Sequence, residues 1–456
     1  MSHYMDYLAV PLPEDIQRFK YFGDQKLLND AIDRKIAQGV PEPLKKRLEL
    51  EKDVMQRWVN EFVHTEEEAL EICKSLIEDF TQEEMHELRM NNAVEWAYIN
   101  GRVMYKEYFV NNLFATRKQY LERCKDQARK DESASDKKNL KETIRYIKEH
   151  GGMKAKIHLR LSTKVDAPAE HKGQKVVCQL PIPIEYAQVK NVNILRVSHE
   201  DAVIAPKDYP ARTVRFEAVP DRPFEVEYTY ETHIDYVQPD PDKVSKQQPK
   251  FYTEEQLPHI QFTPFVKMMT REIVGDETNP LIKAKKIYEF VTTKNIYSFM
   301  REYMTLPCTL PEYFMAGQKG DCGIHAITFI TLCRCAGIPA RWQSGFWSCP
   351  WDIGMHDWAQ FYVAPYGWLF CDPSFGGGAY RNGSAERHAF YFGNLDPMRL
   401  VANREYQAPL VPEMHALRVD PFDNQSGEME RIGADVPFNG RQLDGDAELV
   451  EFVDLD

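Results

Sequence analysis

The run Gly320-Asp-Cys-Gly-Ile-His325 sets a cysteine among small and polar neighbours, directly ahead of an apolar stretch that continues to Cys335. A cysteine in that place faces the positive end of a helix dipole, where its thiolate is favoured, and the thiolate is the attacking form. Gly323 leaves room for a substrate to approach the sulfur. Met355-His-Asp-Trp358 heads a stretch of strand character, and Cys371-Asp-Pro373 closes the next one. The turn Ala364-Pro-Tyr-Gly367 joins the two into an antiparallel hairpin, which brings His356 and Asp372 to one rim. A carboxylate there fixes the imidazole tautomer and supports its protonated form. Cys322, His356 and Asp372 therefore read as nucleophile, general base and acid, and orienting carboxylate. The corresponding chemistry is acyl transfer: the thiolate attacks an amide carbonyl, the amine leaves, and water or a second amine takes the acyl group from a thioester.

Other residues near these motifs carry competing readings. His325 lies one helical turn from Cys322, but the sequence offers it no partner carboxylate, so it reads as helix packing or a helper contact. Asp321 reads as a cap for the helix start. Trp342, Trp347 and Trp351 are candidates for a substrate groove, whereas Trp358 reads as core. Arg381, His388 and Tyr391 follow the Asp372 strand without a separable role. Cys333 and Cys335 sit two apart on a predicted helix, about 200° round its axis, so they cannot chelate one ion. No metal site and no cofactor is expected.

The elements that must hold these groups follow from periodicity. Residues 1–152 read as helical, with Thr65 and Glu68 as a capping box. The charged stretch Arg123–His150 reads as an exposed helical arm with a non-helical hinge near Asp131–Asp136. From Met153 the period changes to two, as in Ile157, Leu159 and Leu161 or Phe224, Val226 and Tyr228, which predicts an antiparallel sandwich-like β domain over 153–237. A proline-rich linker covers 238–250, and a second globular unit covers 251–400. Beyond it, 401–456 reads as an extended acidic C-terminal segment; from Leu417 it holds eleven acidic residues against three arginines. The fold class is multidomain α+β.

Composition narrows the function classes. Hydrophobic residues are 43% and charged residues 28% of 456, a globular composition. No apolar run approaches the roughly 20 residues of a membrane helix, and the start shows no secretory signal. A net charge of −13 argues against nucleic acid and anionic membrane as partners. Nine cysteines, an odd number, predict free thiols in a reducing cytoplasm.

The full pattern of Gly-Asp-Cys-Gly, Ala-Gly-Ile-Pro-Ala-Arg341, a His-x-Trp strand and a Gly-Trp-x-x-x-Asp-Pro373 strand resembles the transglutaminase-like superfamily, of bacterial type, over about residues 280–400. The resemblance implies a papain-like core with Cys322, His356 and Asp372 as its triad. It also implies an oxyanion donor at the backbone N–H of Cys322, with Gln318 as a candidate second donor. Animal transglutaminases carry a tryptophan directly after the nucleophile, where this chain has Gly323. The cavity is thereby opened, and hydrolysis, as by a cysteine protease or amidase, is favoured over amine transfer. The substrate is expected to be a peptide, a protein or a small amide. The alternative is a non-enzymatic transglutaminase-like module kept for binding; a complete set of triad residue types argues against it.

Overall fold

Apolar residues at every second position from Gly152 onward do run as strands, and helices precede them. The computed structural model describes residues 4–164, 173–350, 352–414, 417–418, 422–431 and 446–455. The chain divides into two units, each mixing helices and sheets, so the architecture is α+β. One unit takes Met1–Lys137, Glu255–Met269 and Lys294–Thr331; the other takes Lys138–Glu254, Thr270–Thr293 and Leu332–Asp456.

The first unit opens with helices Glu14–Phe22, Gln25–Gln38 and Glu42–Glu61. Ile16, Leu28, Ile32, Leu48 and Met55 meet in one core between them. The capping box at Thr65 and Glu68 is formed, and Thr81 with Glu84 makes a second. Residues 1–152 are not helical throughout. Phe62–Thr65, Arg102–Lys106 and Trp96–Ile99 form a three-stranded antiparallel sheet in that order. Asn100 and Gly101, at φ 50° and 73°, make the tight turn of its hairpin, a conformation this residue pair adopts readily. The expected hinge near Asp131–Asp136 is absent as well: the backbone is helical from Gln127 to His150. The polar residues there cost roughly half a kcal/mol each relative to alanine, and no glycine or proline interrupts the run. Gly151, at φ 79°, ends it.

The second unit holds two four-stranded sheets around a common core that includes Ile157, Leu159, Cys178, Leu180, Phe216, Val226 and Tyr228. One sheet is ordered Asp446–Asp454, Gly152–Thr163, Phe224–Asp235, Val189–Val197; the other is ordered Glu428–Arg431, Val176–Pro181, Thr213–Ala218, Val203–Ile204. The acidic C-terminal stretch therefore supplies an edge strand to each. The same unit carries a five-stranded antiparallel sheet ordered Phe392–Gly393, Gly367–Cys371, Asp352–Val363, Ala340–Cys349, Arg399–Asn403. Its two central hairpin strands hold the histidine and lead into the aspartate.

Candidate active site

Cys322 is the first residue of the helix Cys322–Cys335 and is half-buried. The helix is apolar on all sides, and Ile324, Ile327, Phe329, Ile330 and Cys333 are fully buried, which pins its start as well as its body. Asp321 caps it: Oδ1 accepts the Ile324 N–H at 3.1 Å. The same oxygen accepts the Tyr303 hydroxyl at 2.6 Å, and Oδ2 accepts the Met300 N–H at 3.4 Å. Burial pushes the Asp321 carboxyl up, against the lowering effect of these hydrogen bonds. Lys319, two residues earlier, is fully buried and ion-paired with Glu95, whose other oxygen lies 3.4 Å from Arg301.

His325 is buried between the edges of two rings, Tyr297 at 5.6 Å and Phe314 at 5.3 Å. Gln318 has left-handed backbone, φ 49° and ψ 40°, and closes helix Leu310–Gly317. Its N–H donates to Phe314 O and its carbonyl accepts from Ile296 N–H, both at 2.6 Å, and the residue is exposed.

In the second unit, His356 Nε2 lies 2.8 Å from Asp372 Oδ2, with both residues buried. The hairpin register explains the meeting. Ala359 faces Cys371 across Asp352–Val363 and Gly367–Cys371, so the chain after Cys371 emerges beside His356 and Trp358, which share one face of the strand. Pro373 starts the helix Pro373–Arg381 there, and Asp372 is its cap, with Oδ1 accepting the Phe375 N–H at 2.8 Å. The imidazole lies against the Phe375 ring at 4.5 Å and the Trp358 ring at 6.0 Å.

Arg399 completes this group, and nothing in the sequence singled it out. It is fully buried on the edge strand Arg399–Asn403. Nη1 lies 2.8 Å from Asp372 Oδ2, while Nε and Nη2 bond Asp396. Trp347 Nε1 donates to Asp396 at 3.2 Å and the Tyr391 hydroxyl donates to it at 3.1 Å. Burial works against an ionised Asp372, but the hydrogen-bonded His356 and the Arg399 cation together outweigh it and hold the carboxyl below its ordinary range. Burial also governs His356, whose pKa falls despite Asp372. The result is an imidazole kept neutral beside a carboxylate kept charged.

Among the groove candidates, Trp342 is buried edge-on against Tyr406 at 5.3 Å, and Trp347 is buried against Phe375 at 5.1 Å as it bonds Asp396. Trp351 lies outside the described residues. Tyr391 backs Asp396, and His388 bonds Thr292 Oγ1 at 2.8 Å and stacks on Tyr288. Among the described residues, no helix is long and apolar enough to cross a membrane.

Residues 267–373, which include Cys322, His356 and Asp372, match the family model of the transglutaminase-like superfamily. Over 129 residues the chain is 22% identical to the uncharacterized protein YebA of Bacillus subtilis, covering 24% of this chain and 17% of that protein. Over 141 residues it is 29% identical to an uncharacterized protein of Haemophilus influenzae, covering 25% of this chain and 37% of that one. The chain thus spans well under half the length of these two relatives. A solved candidate cysteine protease from Cytophaga hutchinsonii aligns at 14% identity with a TM-score of 0.39, over 67% of this chain and 91% of that one.

Proposed function

We propose that the transglutaminase-like core at residues 267–373 works as a thiol enzyme that transfers acyl groups from an amide or peptide through a thioester on Cys322. The observation that carries this reading is the buried His356–Asp372 pair at 2.8 Å. With Nε2 held by the carboxylate, Nδ1 is the nitrogen that takes the thiol proton and later delivers it to the leaving amine. Asp372 supports the imidazolium formed between those steps, and Arg399 keeps Asp372 ionised. Cys322 supplies the nucleophile from the first turn of its helix, and its own backbone N–H is the oxyanion donor of this reading. Gln318 is the second donor.

Water is the acceptor in this reading. An amine competes with water at tens of molar only where a bound site excludes it, and Gly323 offers no wall beside the sulfur. The products are a free acid and an amine, and the substrate class is a peptide, protein or small amide. A reducing cytoplasm, which keeps the nine cysteines as thiols, is part of this reading.

Selective alkylation tests the nucleophile. Burial pushes Cys73 up to about 12, and Cys333 and Cys371 well above the ordinary thiol range, so those thiols are slow at low pH. Iodoacetamide at pH 6 is expected to modify Cys322 first; peptide mapping that finds Cys322 no faster than Cys333 overturns the reading. Partition decides the acceptor: with millimolar amine present, free acid should exceed amine adduct.

A further inference from the structure

Asn112 stands on the helix Phe109–Thr116 and is buried. Both ends of its amide are engaged by two consecutive residues far along the chain. Nδ2 donates to Ser298 Oγ at 3.2 Å, and Oδ1 accepts the Phe299 N–H at 2.9 Å. Those residues directly follow the short strand Ile296–Tyr297, which pairs in parallel with Lys319–Gly320. Ser298 N–H donates to Gly320 O at 3.1 Å, so the ladder runs one step beyond the strand. Met300 N–H and the Tyr303 hydroxyl then bond the carboxylate of Asp321, which caps the helix that Cys322 begins.

A side-chain amide is suited to this place because it offers one donor edge and one acceptor, as a peptide group does. It holds residues 298 and 299 just past the end of the two-stranded pairing of Ile296–Tyr297 with Lys319–Gly320. The series of bonds leads from one side chain of the N-terminal region to the residue before the nucleophile, with every member in the same unit.

We propose that Asn112 is a positioning residue for the Cys322 thiol, so that the N-terminal region is a working part of the active site. The inference rests on the thiol reading above. Without Asn112, residues 298–300 shift, the bonds to Asp321 loosen, and the sulfur leaves the alignment with the helix end that favours its thiolate. Displacements of about 1 Å are enough to cost orders of magnitude in rate.

The test uses the full chain and three variants: Asn112→Ala; Ser298→Ala, which removes a single hydroxyl; and Ile32→Val, in the helical core of the same unit, as a control for general destabilisation. Iodoacetamide modification of Cys322 is followed by mass spectrometry from pH 5 to 10. The wild-type midpoint should lie below the free-thiol value of ~8.5. Asn112→Ala should raise it by about one unit and so slow modification at pH 6 by up to about tenfold; Ser298→Ala should act in the same direction by less, and Ile32→Val should leave the midpoint in place. If Asn112→Ala does not fold, Ser298→Ala decides. A fast wild type with unmoved midpoints in the variants that fold overturns this inference alone. A wild-type Cys322 as slow as the buried cysteines overturns the thiol reading, and this inference with it.

Discussion

Asp372 serves three partners through two oxygens. One meets His356 and Arg399, each at 2.8 Å, and the other caps helix Pro373–Arg381. Ions in a dry interior are unfavourable singly and depend on mutual pairing, so removing different members has different results. Arg399→Met leaves the carboxylates of Asp372 and Asp396 together without their cation, and a loss of about 3–5 kcal/mol is expected in urea unfolding. Asp372→Asn keeps a competent helix cap and leaves Arg399 paired with Asp396, so unfolding should change far less. It removes control of the imidazole tautomer, and turnover should fall by about 10⁴. Equal stability losses in the two variants would contradict this division of labour. The pair His356 and Asp372 was legible because a short hairpin brings them together. Arg399 was not: it reaches Asp372 from a strand that enters from the far edge of the sheet, and its local pattern, Asp396 three residues before it, is that of any surface ion pair.

The five-stranded sheet puts the histidine strand under a constraint set two strands away. Gly345 faces His356 across the hairpin and on its other side pairs with the edge strand Arg399–Asn403. A Cβ at Gly345 would stand 2.1 Å from Leu400 O, inside any tolerable contact. Glycine lets that strand approach and carry Arg399 to the carboxylates. Gly345→Ala should therefore push Leu400 away, lower stability by about 1–3 kcal/mol in urea unfolding, and reduce turnover as Arg399 withdraws. Wild-type stability in this variant would mean that the edge strand does not fix the arginine. Elements with local signals were readable: the helix behind Cys322, the hairpin turn at 364–367, and the alternation of 152–163 and 224–235. Elements defined by distant partners were not. Glu428–Arg431 and Asp446–Asp454 become strands by adding to exposed edges, and their acidic composition masks the few apolar positions, such as Leu449 and Phe452, that turn to the core.

At the scale of the whole molecule, a net charge of −13 tempts a reading in which acid relieves repulsion and stabilises. The histidines that lose solvation in the fold point the other way. His356, His199, His388 and His259 all have pKa values lowered by burial; His388 is brought down to about 4 and His259 to about 3. His259 shows the physical reason: its Nδ1 accepts the Leu310 N–H at 3.2 Å, and a proton there would abolish that bond in a buried site. An unfolded histidine titrates near 6.5. Below that pH the unfolded chain binds protons that the folded chain refuses, so the stability these groups contribute is fully present above about 6.5 and is lost as pH falls toward their folded values. For His259 alone, acidification to pH 5 removes about 2 kcal/mol. Asp321 and Asp53, whose carboxyls burial raises, act in the opposite sense, since their contribution is lost as pH rises through their folded values. Four lowered histidines against two raised carboxyls, with most of the window above the ordinary carboxylate range, give a net loss on the acid side. The thermal midpoint should fall steadily from pH 7 to pH 5 at constant ionic strength. In His259→Gln, whose amide oxygen can still accept the Leu310 N–H, the stability lost across the same interval should be smaller by about 2 kcal/mol. An unchanged slope in that variant, or a midpoint that rises on acidification, would show that relief of the negative charge outweighs the protonation of the buried imidazoles.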